Sequence, residues 1–473
     1  MSMQRRTWGY GATFRWAGLW FVTLGVSACV STSVPLSTYQ GNNGVVNDGL
    51  SDSLSMPAEP TLSVVDFRDA TFCATCHPDH YDEWSTSLHA YATKDPVWRA
   101  LVTARHGYSD GERDLFCIQC HSAIGVRSGE IYPGFSLDEM SPVIQEGVTC
   151  EACHKVVGLE RVFNSGHVLD GQAAMHGSIE DPIPNEVHES EFSPLHDRSE
   201  FCGGCHDVIE QHGLRLESPY AEWSDSPAAA DGRNCQSCHM LTYTGTAASL
   251  PGVPERDDLH THRFLGAEVP LSDDFITDPQ RREEIREDVI TLLRGAGSIG
   301  LASAEQVATG DPLVLQVTVH NRIDGHNLPT GSTFNRQVWI ALTATDAAGT
   351  VIYQTGHLDE NGDLRDYFSE LDPTGDTDLV RFDSTLVDEN GTPTLLPWLA
   401  AENLGESLAP LESRTFAYSI PTRPNTEGPI TVDARLRYRA LAPRVLRTLE
   451  LDELVANLEI FDIDEATTTV DVD

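Results

Sequence analysis

Cys73-Ala-Thr-Cys76-His77 is the first of five copies of one pattern, in which two cysteines three residues apart are followed directly by a histidine. The other copies occupy residues 117–121, 150–154, 202–206 and 235–239. By chance such a pattern would occur about 0.01 times in a chain of this composition. Ten of the 11 cysteines are used in this way: Cys73, Cys76, Cys117, Cys120, Cys150, Cys153, Cys202, Cys205, Cys235 and Cys238.

This pattern is typical of covalent haem attachment. Two cysteines at this spacing each form a thioether with one vinyl group of a haem, and the next residue then lies under the iron. Zinc sites and disulfides are the alternatives for cysteine pairs in an exported protein, but neither requires a histidine after every pair. The sequence therefore predicts five haems c, whose proximal iron ligands are His77, His121, His154, His206 and His239.

The chain between the first and last motif is short for so many cofactors. It provides about 33 residues for each haem, which is too few to build a separate core around each one. We therefore expect a pentahaem domain over residues 66–268, with short helices and loops wrapped on closely packed haems. The spacing between successive motifs is irregular, which argues against a tandem repeat.

The first motif and the residues after it carry a family resemblance. The segment from Cys73 through Tyr81, Trp84 and Ser87 to His89-Ala resembles the first haem site of multihaem cytochromes of the cytochrome c-554 (tetrahaem cytochrome) type. Residues 147–154, 199–207 and 235–240 also resemble that family, so the likeness covers about residues 70–268. It implies electron transfer with other redox proteins as partners, although five motifs exceed the family's commonest count of four.

Each iron also needs a sixth ligand or an open position. The resemblance implies His89 as a distal ligand, and His188 and His262 lie at positions that resemble family ligands. His80 is expected on the same side of the first haem as His77, because it follows three residues later on one helix. The remaining distal positions have five competing histidines, which are His106, His167, His176, His196 and His212. The full set of candidate distal ligands is His89, His188, His262, His167, His106 and His326.

His326 is the one candidate outside the haem domain. It lies in Asp324-Gly-His326-Asn-Leu-Pro329-Thr-Gly331, which resembles a turn found beside multihaem domains in several cytochromes. The alternative is a hydrogen-bonded loop histidine with no iron. Because the chain has only 6 methionines, we favour histidine on both sides of each iron, which lowers the reduction potential.

The C-terminal part has a different pattern. Residues 269–300 include an amphipathic stretch that predicts a linking helix. Residues 301–473 alternate apolar and polar positions between turns, which predicts an Ig-like β-sandwich and an α+β multidomain fold. Asp359-Glu-Asn361-Gly-Asp363 has the oxygen ligands of a calcium loop but not the spacing of an EF-hand, so a solvated acidic turn is favoured.

The N-terminus is typical of an exported lipoprotein. Arginines precede an apolar stretch that ends in Val26-Ser27-Ala28-Cys29, which resembles a bacterial lipobox. We expect a signal peptide over residues 1–29, lipidation of Cys29 and a flexible tether over residues 30–65. An ordinary signal peptide is the alternative. The protein would then be anchored to a membrane in the periplasm or at the cell surface, with a weak preference for the outer membrane.

Charge and motif chemistry restrict the function. With 72 acidic and 31 basic residues the net charge is -41, which excludes nucleic acid as an expected partner. We favour an electron carrier and name no catalytic residue. One alternative is a multihaem reductase with one open haem acting on a small nitrogen or sulfur oxyanion, although all five motifs end in histidine. Another is a subunit of a conductive cytochrome assembly.

Overall fold

The haem-motif region is built from short helices and two-stranded β-pairs. The computed structural model describes residues 60–109, 115–210 and 213–473, so Cys29, the signal segment and nearly all of the tether lie outside the described residues. The helices are α1 (Ala70–Ala74), α2 (Pro78–Ser85), α3 (Leu88–Tyr91), α4 (Pro96–Ser109), α5 (Leu115–His121), α6 (Ala123–Ser128), α7 (Pro142–Gln145), α8 (Cys150–His154), α9 (Ser199–Gly203), α10 (Pro219–Ser224), α11 (Pro227–Ala230) and α12 (Gln236–His239).

Local sequence explains why these helices are short. Proline is the first residue of α2, α4, α7, α10 and α11, where its missing N–H costs no hydrogen bond. Side chains of Asp69, Ser87 and Ser226 cap α1, α3 and α11 by accepting backbone N–H groups. Each of the five motifs falls on or beside one helical turn, which directs cysteines three residues apart to the same face.

The β-pairs of this region were not predicted from the sequence. The strands are β1 (Val156–Leu159), β2 (His167–Leu169), β3 (Met175–Gly177), β4 (Ser190–Phe192), β5 (Val208–Ile209), β6 (Arg215–Glu217), β7 (Thr242–Thr246) and β8 (Glu255–His260). They pair as β1–β2, β3–β4, β5–β6 and β7–β8. Strands of two to six residues are too short to show a periodic pattern, and tertiary contacts decide their pairing.

A single long helix leads into the C-terminal domain. Helix α13 (Pro279–Ala296) begins after the capping side chain of Asp278 and buries Val289, Leu293 and Ala296 along one face against the sandwich. Strand β9 (Gly297–Ser303) follows without a loop and pairs with β11 (Leu313–Asn321). The sandwich therefore begins inside the range 269–300 that the sequence assigned to the linking helix.

The C-terminal domain is a β-sandwich, as predicted. Its remaining elements are β10 (Gln306–Val307), β12 (Gln337–Thr345), β13 (Val351–Thr355), β14 (Ser384–Val387), β15 (Pro393–Thr394), β16 (Glu402–Gly405), β17 (Ser413–Ile420), β18 (Ile430–Arg439), α14 (Pro443–Thr448) and β19 (Phe461–Val472). One sheet has the order β10-β19-β18-β12-β13, the opposing sheet β17-β11-β9, and a small sheet β15-β14-β16. The combination of helical and sandwich regions confirms the α+β multidomain fold.

Alternating residues form the core between the two larger sheets. Leu313, Leu315, Val317 and Val319 point inward from β11 and are at most 1% exposed. They pack in one cluster with alternate residues of β12 and β18. Strand β12 is buried on both faces, because Trp339 packs outside this core against Leu358 and Leu364.

The suspected calcium loop is saturated by its own hydrogen bonds. The Asp359 carboxylate accepts the N–H groups of Asn361 (2.8 Å) and Asp363 (3.0 Å), and also the Ser369 hydroxyl (2.6 Å). Asp363 forms an ion pair with Arg447. These contacts fit the acidic turn that the sequence favoured, but Asp363 is buried in its ion pair and is not solvated as expected. No helix in the described ranges combines the length and apolar character that crossing a membrane would require.

Candidate multihaem site

A continuous cavity of about 2390 Å³ runs through the haem-motif region. Pockets for one small ligand are usually about 300–1,000 Å³, so this space suits several large groups. All ten motif cysteines and all five motif histidines line it. The residues present therefore fit covalent haem, since each motif offers two thiols and one imidazole to the same space.

Four of the five motif histidines are oriented by backbone carbonyl groups. Nδ1 of each of the following donates to a carbonyl oxygen: His77 to Ala247 (2.6 Å), His121 to Ala92 (2.9 Å), His154 to His176 (2.6 Å) and His239 to Leu265 (2.6 Å). A carbonyl oxygen accepts only, so Nδ1 must carry the proton. Nε2 is then the nitrogen left with a lone pair for a metal.

Contacts between motif cysteines show which sites are neighbours. The sulfur atoms of Cys73 and Cys150 lie close together, so the first and third motifs are neighbours. Cys120 contacts Cys205, and Cys202 contacts Cys235. The fourth motif therefore adjoins both the second and the fifth. Cys238 of the fifth motif is exposed, whereas the other nine motif cysteines are partly buried.

Four motif histidines face a second histidine at one characteristic distance. Two imidazoles on opposite sides of one iron, with metal–nitrogen bonds of about 2.1 Å, have ring centres roughly 6 Å apart. The rings observed at this distance are His77 and His188 (6.3 Å), His154 and His262 (6.1 Å), His206 and His89 (6.1 Å), and His239 and His326 (6.3 Å). A sixth-ligand candidate from the sequence thus lies opposite each of four motifs.

Two further histidines lie about 6 Å from a motif histidine, but the Nε2 atom of each forms a hydrogen bond with another group. His80 is 6.1 Å from His77, and its Nε2 hydrogen-bonds with the Tyr243 hydroxyl (3.0 Å). His196 is 5.9 Å from His154, and its Nε2 donates to the Cys153 carbonyl (3.1 Å). These bonds make His188 and His262 the better partners for those two motifs.

The paired histidines have environments suited to ligation. Nδ1 of His262 donates to the His260 carbonyl (3.1 Å), and Nδ1 of His326 donates to the Asn327 carbonyl (2.9 Å), which leaves Nε2 of both rings for a metal. Burial lowers the pKa of His89 to about 4 and also lowers the pKa of His262. Their imidazoles are therefore neutral at pH 7, as a metal ligand must be.

The other two candidates from the sequence have different surroundings. Nε2 of His167 donates to the Phe201 carbonyl (2.7 Å), and its Nδ1 lies 3.7 Å from the Cys205 sulfur. His106 lies on α4 with its ring 6.5 Å from that of Phe135. Neither ring is placed at ligand distance from a motif histidine among the residues that the structure describes.

The second motif has a distinct neighbour. The ring of Trp98 stacks on that of His121 at 4.7 Å, with 14° between the planes. Within the described ranges, no histidine ring lies about 6 Å from His121, while His212 falls outside those ranges. No sequence pattern indicated a role for Trp98, because its stacking depends on how α4 packs on α5.

His176 also had only a weak signal in the sequence. Both of its ring nitrogens are buried without a hydrogen-bond partner, and its ring stacks at 6.3 Å from that of His196. Its backbone carbonyl orients His154. A contact made by a carbonyl does not depend on side-chain identity, so the sequence could not reveal it.

The fold and the cavity together define a class: a multihaem c-type cytochrome joined to a C-terminal β domain. Residues 72–155, which hold the first three motifs, match the family model described as Cytochrome c554 and c-prime. This match and the motifs support haem c as cofactor, electron transfer as function and redox proteins as partners. A comparison with curated proteins gives no match.

Comparison with solved structures agrees on the fold. The chain is similar to a penta-heme cytochrome c552 from Thermochromatium tepidum at 20% identity and a TM-score of 0.59, over 86% of this chain and 100% of that chain. A CARDB domain from Pyrococcus furiosus is also matched, at 13% identity and a TM-score of 0.16, over 37% of this chain and 87% of that one. The second TM-score is too low to support any structural argument.

Proposed function

We propose that the chain is a pentahaem electron carrier, exported and anchored to a membrane, that passes electrons between redox proteins. The observation that carries this proposal is the pairing of four motif histidines with a second histidine ring at about 6 Å. A carrier benefits from two fixed protein ligands on each iron, because coordination then changes little between oxidation states. Haem supplies the redox chemistry when bound, and the protein sets ligation, spacing and potential.

We propose one distal ligand from each of the four pairs. His188 serves the first motif, His262 the third, His89 the fourth and His326 the fifth. Ligation by two histidines favours ferric iron and lowers the potential, and the acidic surface acts in the same direction. For the second motif we propose a histidine as well, and His212 is the candidate from the sequence that lies outside the described ranges.

The cysteine contacts support an order for the five sites. The first site adjoins the third at Cys73 and Cys150, and Cys153 of the third site lies in the vicinity of Cys205 of the fourth. The fourth site adjoins both the second and the fifth. We therefore propose a branched path centred on the fourth site. Because Cys238 is the most exposed of the ten motif cysteines, we propose the fifth site as the point of exchange with a partner.

Electron paramagnetic resonance of the oxidised protein, together with its intact mass, tests the carrier. We expect a mass that exceeds the processed polypeptide by five haems, five low-spin ferric signals and no appreciable carbon monoxide binding at neutral pH. A high-spin signal from roughly one-fifth of the haem, together with turnover of nitrite, hydroxylamine or a sulfur oxyanion, would instead identify the reductase. A smaller haem mass from natively matured protein would contradict the count of five.

A further inference from the structure

We propose that Glu222 is the positioning residue that holds the sandwich loop 324–331 against the haem region, so that His326 stays opposite His239. This inference rests on the proposed ligation of the fifth haem by His326. It gives a specific role to Glu222, which lies outside all five haem motifs. It also explains how a ligand from the β domain is kept in place.

Glu222 is a buried carboxylate that reaches across the boundary between the two regions. It lies on α10 of the haem region and is 7% exposed. Its Oε2 accepts the backbone N–H of Asn327 (3.1 Å) and the hydroxyl of Thr330 (2.5 Å), both in the sandwich loop. Its Oε1 accepts the Ser218 hydroxyl (2.7 Å), which fixes the carboxylate on its own helix.

Asn327 connects this carboxylate to the histidine ring. The N–H of Asn327 donates to Glu222, and the carbonyl of Asn327 accepts the Nδ1 proton of His326 (2.9 Å). Asn327 therefore links the two: its N–H is held in place by Glu222, and its carbonyl orients the His326 ring. Nε2 of His326 is then the nitrogen directed to a metal, with the ring centre 6.3 Å from that of His239.

Two other contacts hold the beginning of loop 324–331, both of them at Asp324. The carboxylate of Asp324 forms an ion pair with Arg233, and the carbonyl of Asp324 accepts the N–H of Ala228 (3.1 Å). Arg233 is 41% exposed at its side chain, so water weakens this pair. Glu222 is more deeply buried and contacts residues on the C-terminal side of His326, so we expect its bonds to decide where the ring lies.

Removal of the carboxylate tests the role of Glu222. Glu222→Ala leaves the Asn327 N–H and the Thr330 hydroxyl without their acceptor, so the loop should separate from α10. We expect a high-spin ferric signal and carbon monoxide binding from about one haem in five, and faster hydrogen exchange over residues 324–331. Glu222→Gln retains an oxygen acceptor, so this variant should keep the low-spin state of the fifth haem and the slow hydrogen exchange of the loop. Full-length, haem-loaded protein is used throughout.

Glu217→Ala is the matched control. Glu217 also accepts a hydroxyl from the sandwich, that of Ser332, but it does not touch loop 324–331. Glu217→Ala should leave the spin state of the fifth haem and the hydrogen exchange of loop 324–331 unchanged. If Glu217→Ala produced the same spectrum as Glu222→Ala, general loosening of the interface would be the cause and the specific role of Glu222 would be wrong.

His326→Ala separates this inference from the proposed function. If His326→Ala leaves all five haems low-spin, the ligand assignment itself is wrong. If His326→Ala opens one haem while Glu222→Ala changes neither spin state nor exchange, only the role of Glu222 is overturned. Should Glu222→Ala fail to fold, Thr330→Val removes one of the two loop donors. That variant should still raise exchange of the loop, and unchanged exchange would contradict the inference.

Discussion

At the scale of single residues, the hydrogen bonds of the ring nitrogens distinguish the ligand candidates from the other histidines. Partial burial lowers the pKa of both His80 and His89 to about 4. Nε2 of His80 is bonded to the Tyr243 hydroxyl. His89 instead has a buried Nδ1 without a partner and lies 6.1 Å from His206. The same lowered pKa therefore accompanies different roles.

This difference gives a prediction with a matched control. We expect His89→Ala to convert about one haem in five from low to high spin and to open it to carbon monoxide, because no other described ring lies opposite His206. His80→Ala removes an imidazole with the same lowered pKa but should leave all five irons low-spin. Electron paramagnetic resonance and carbon monoxide difference spectra measure both. Five low-spin signals in His89→Ala would contradict the assignment.

At the scale of elements, the fourth motif shows why its two central residues are glycine. A Cβ on Gly203 would overlap the ring of Tyr220, which lies 2.5 Å from the ideal Cβ position. A Cβ on Gly204 would overlap the ring of His167, which is held by its bond to the Phe201 carbonyl. Helix α9 therefore packs against α10 on one side and β2 on the other at distances that only glycine permits.

We expect Gly204→Ala to destabilise this part of the haem region. The His167 ring cannot move without losing its hydrogen bond, so the overlap should cost roughly 1–3 kcal/mol and lower the haem content of the purified protein. Gly300→Ala in β9 is the control, because no heavy atom lies within 4 Å of its ideal Cβ. Urea unfolding followed by circular dichroism and haem per polypeptide are the measurements. Equal behaviour of the two variants would refute the packing argument.

At the scale of the whole molecule, the sandwich is tied to the haem region by charged contacts. Arg336, next to β12, pairs with Glu268 of the haem region at 2.9 Å. Arg233 of the haem region pairs with Asp324 of the sandwich. Because the chain has a net charge of -41, a redox partner with a basic docking face should bind faster at low ionic strength.

Membrane attachment is also a property of the whole molecule. We expect Cys29→Ser to move the cytochrome from the membrane to the soluble exported fraction, because the acyl chains would provide the membrane affinity. Haem content should not change, since Cys29 belongs to none of the five motifs. Ser31→Ala, two residues further on, is the control and should stay with the membrane. Wild-type protein that is already soluble, or whose mature N-terminus lies elsewhere, would contradict the lipoprotein prediction.

The sequence by itself determined the features that depend on local spacing. Two cysteines and a histidine within five residues predict a haem site without knowledge of the fold, because the three groups are joined by a short piece of chain. The alternation in Leu313-Val-Leu-Gln-Val-Thr-Val predicted a half-buried strand, and β11 shows the same alternation of buried and exposed residues. The amphipathic stretch likewise predicted the helix that is observed as Pro279–Ala296.

Only the tertiary structure decided what lies opposite each motif histidine. His188 approaches His77 from more than 100 residues away, and His326 approaches His239 from the other domain. The sequence supplied these histidines as candidates but not their partners. The reason is that the second face of an iron is reached by distant chain segments. Their positions depend on packing, on carbonyl contacts such as that of Ala247 and on buried side chains such as Glu222.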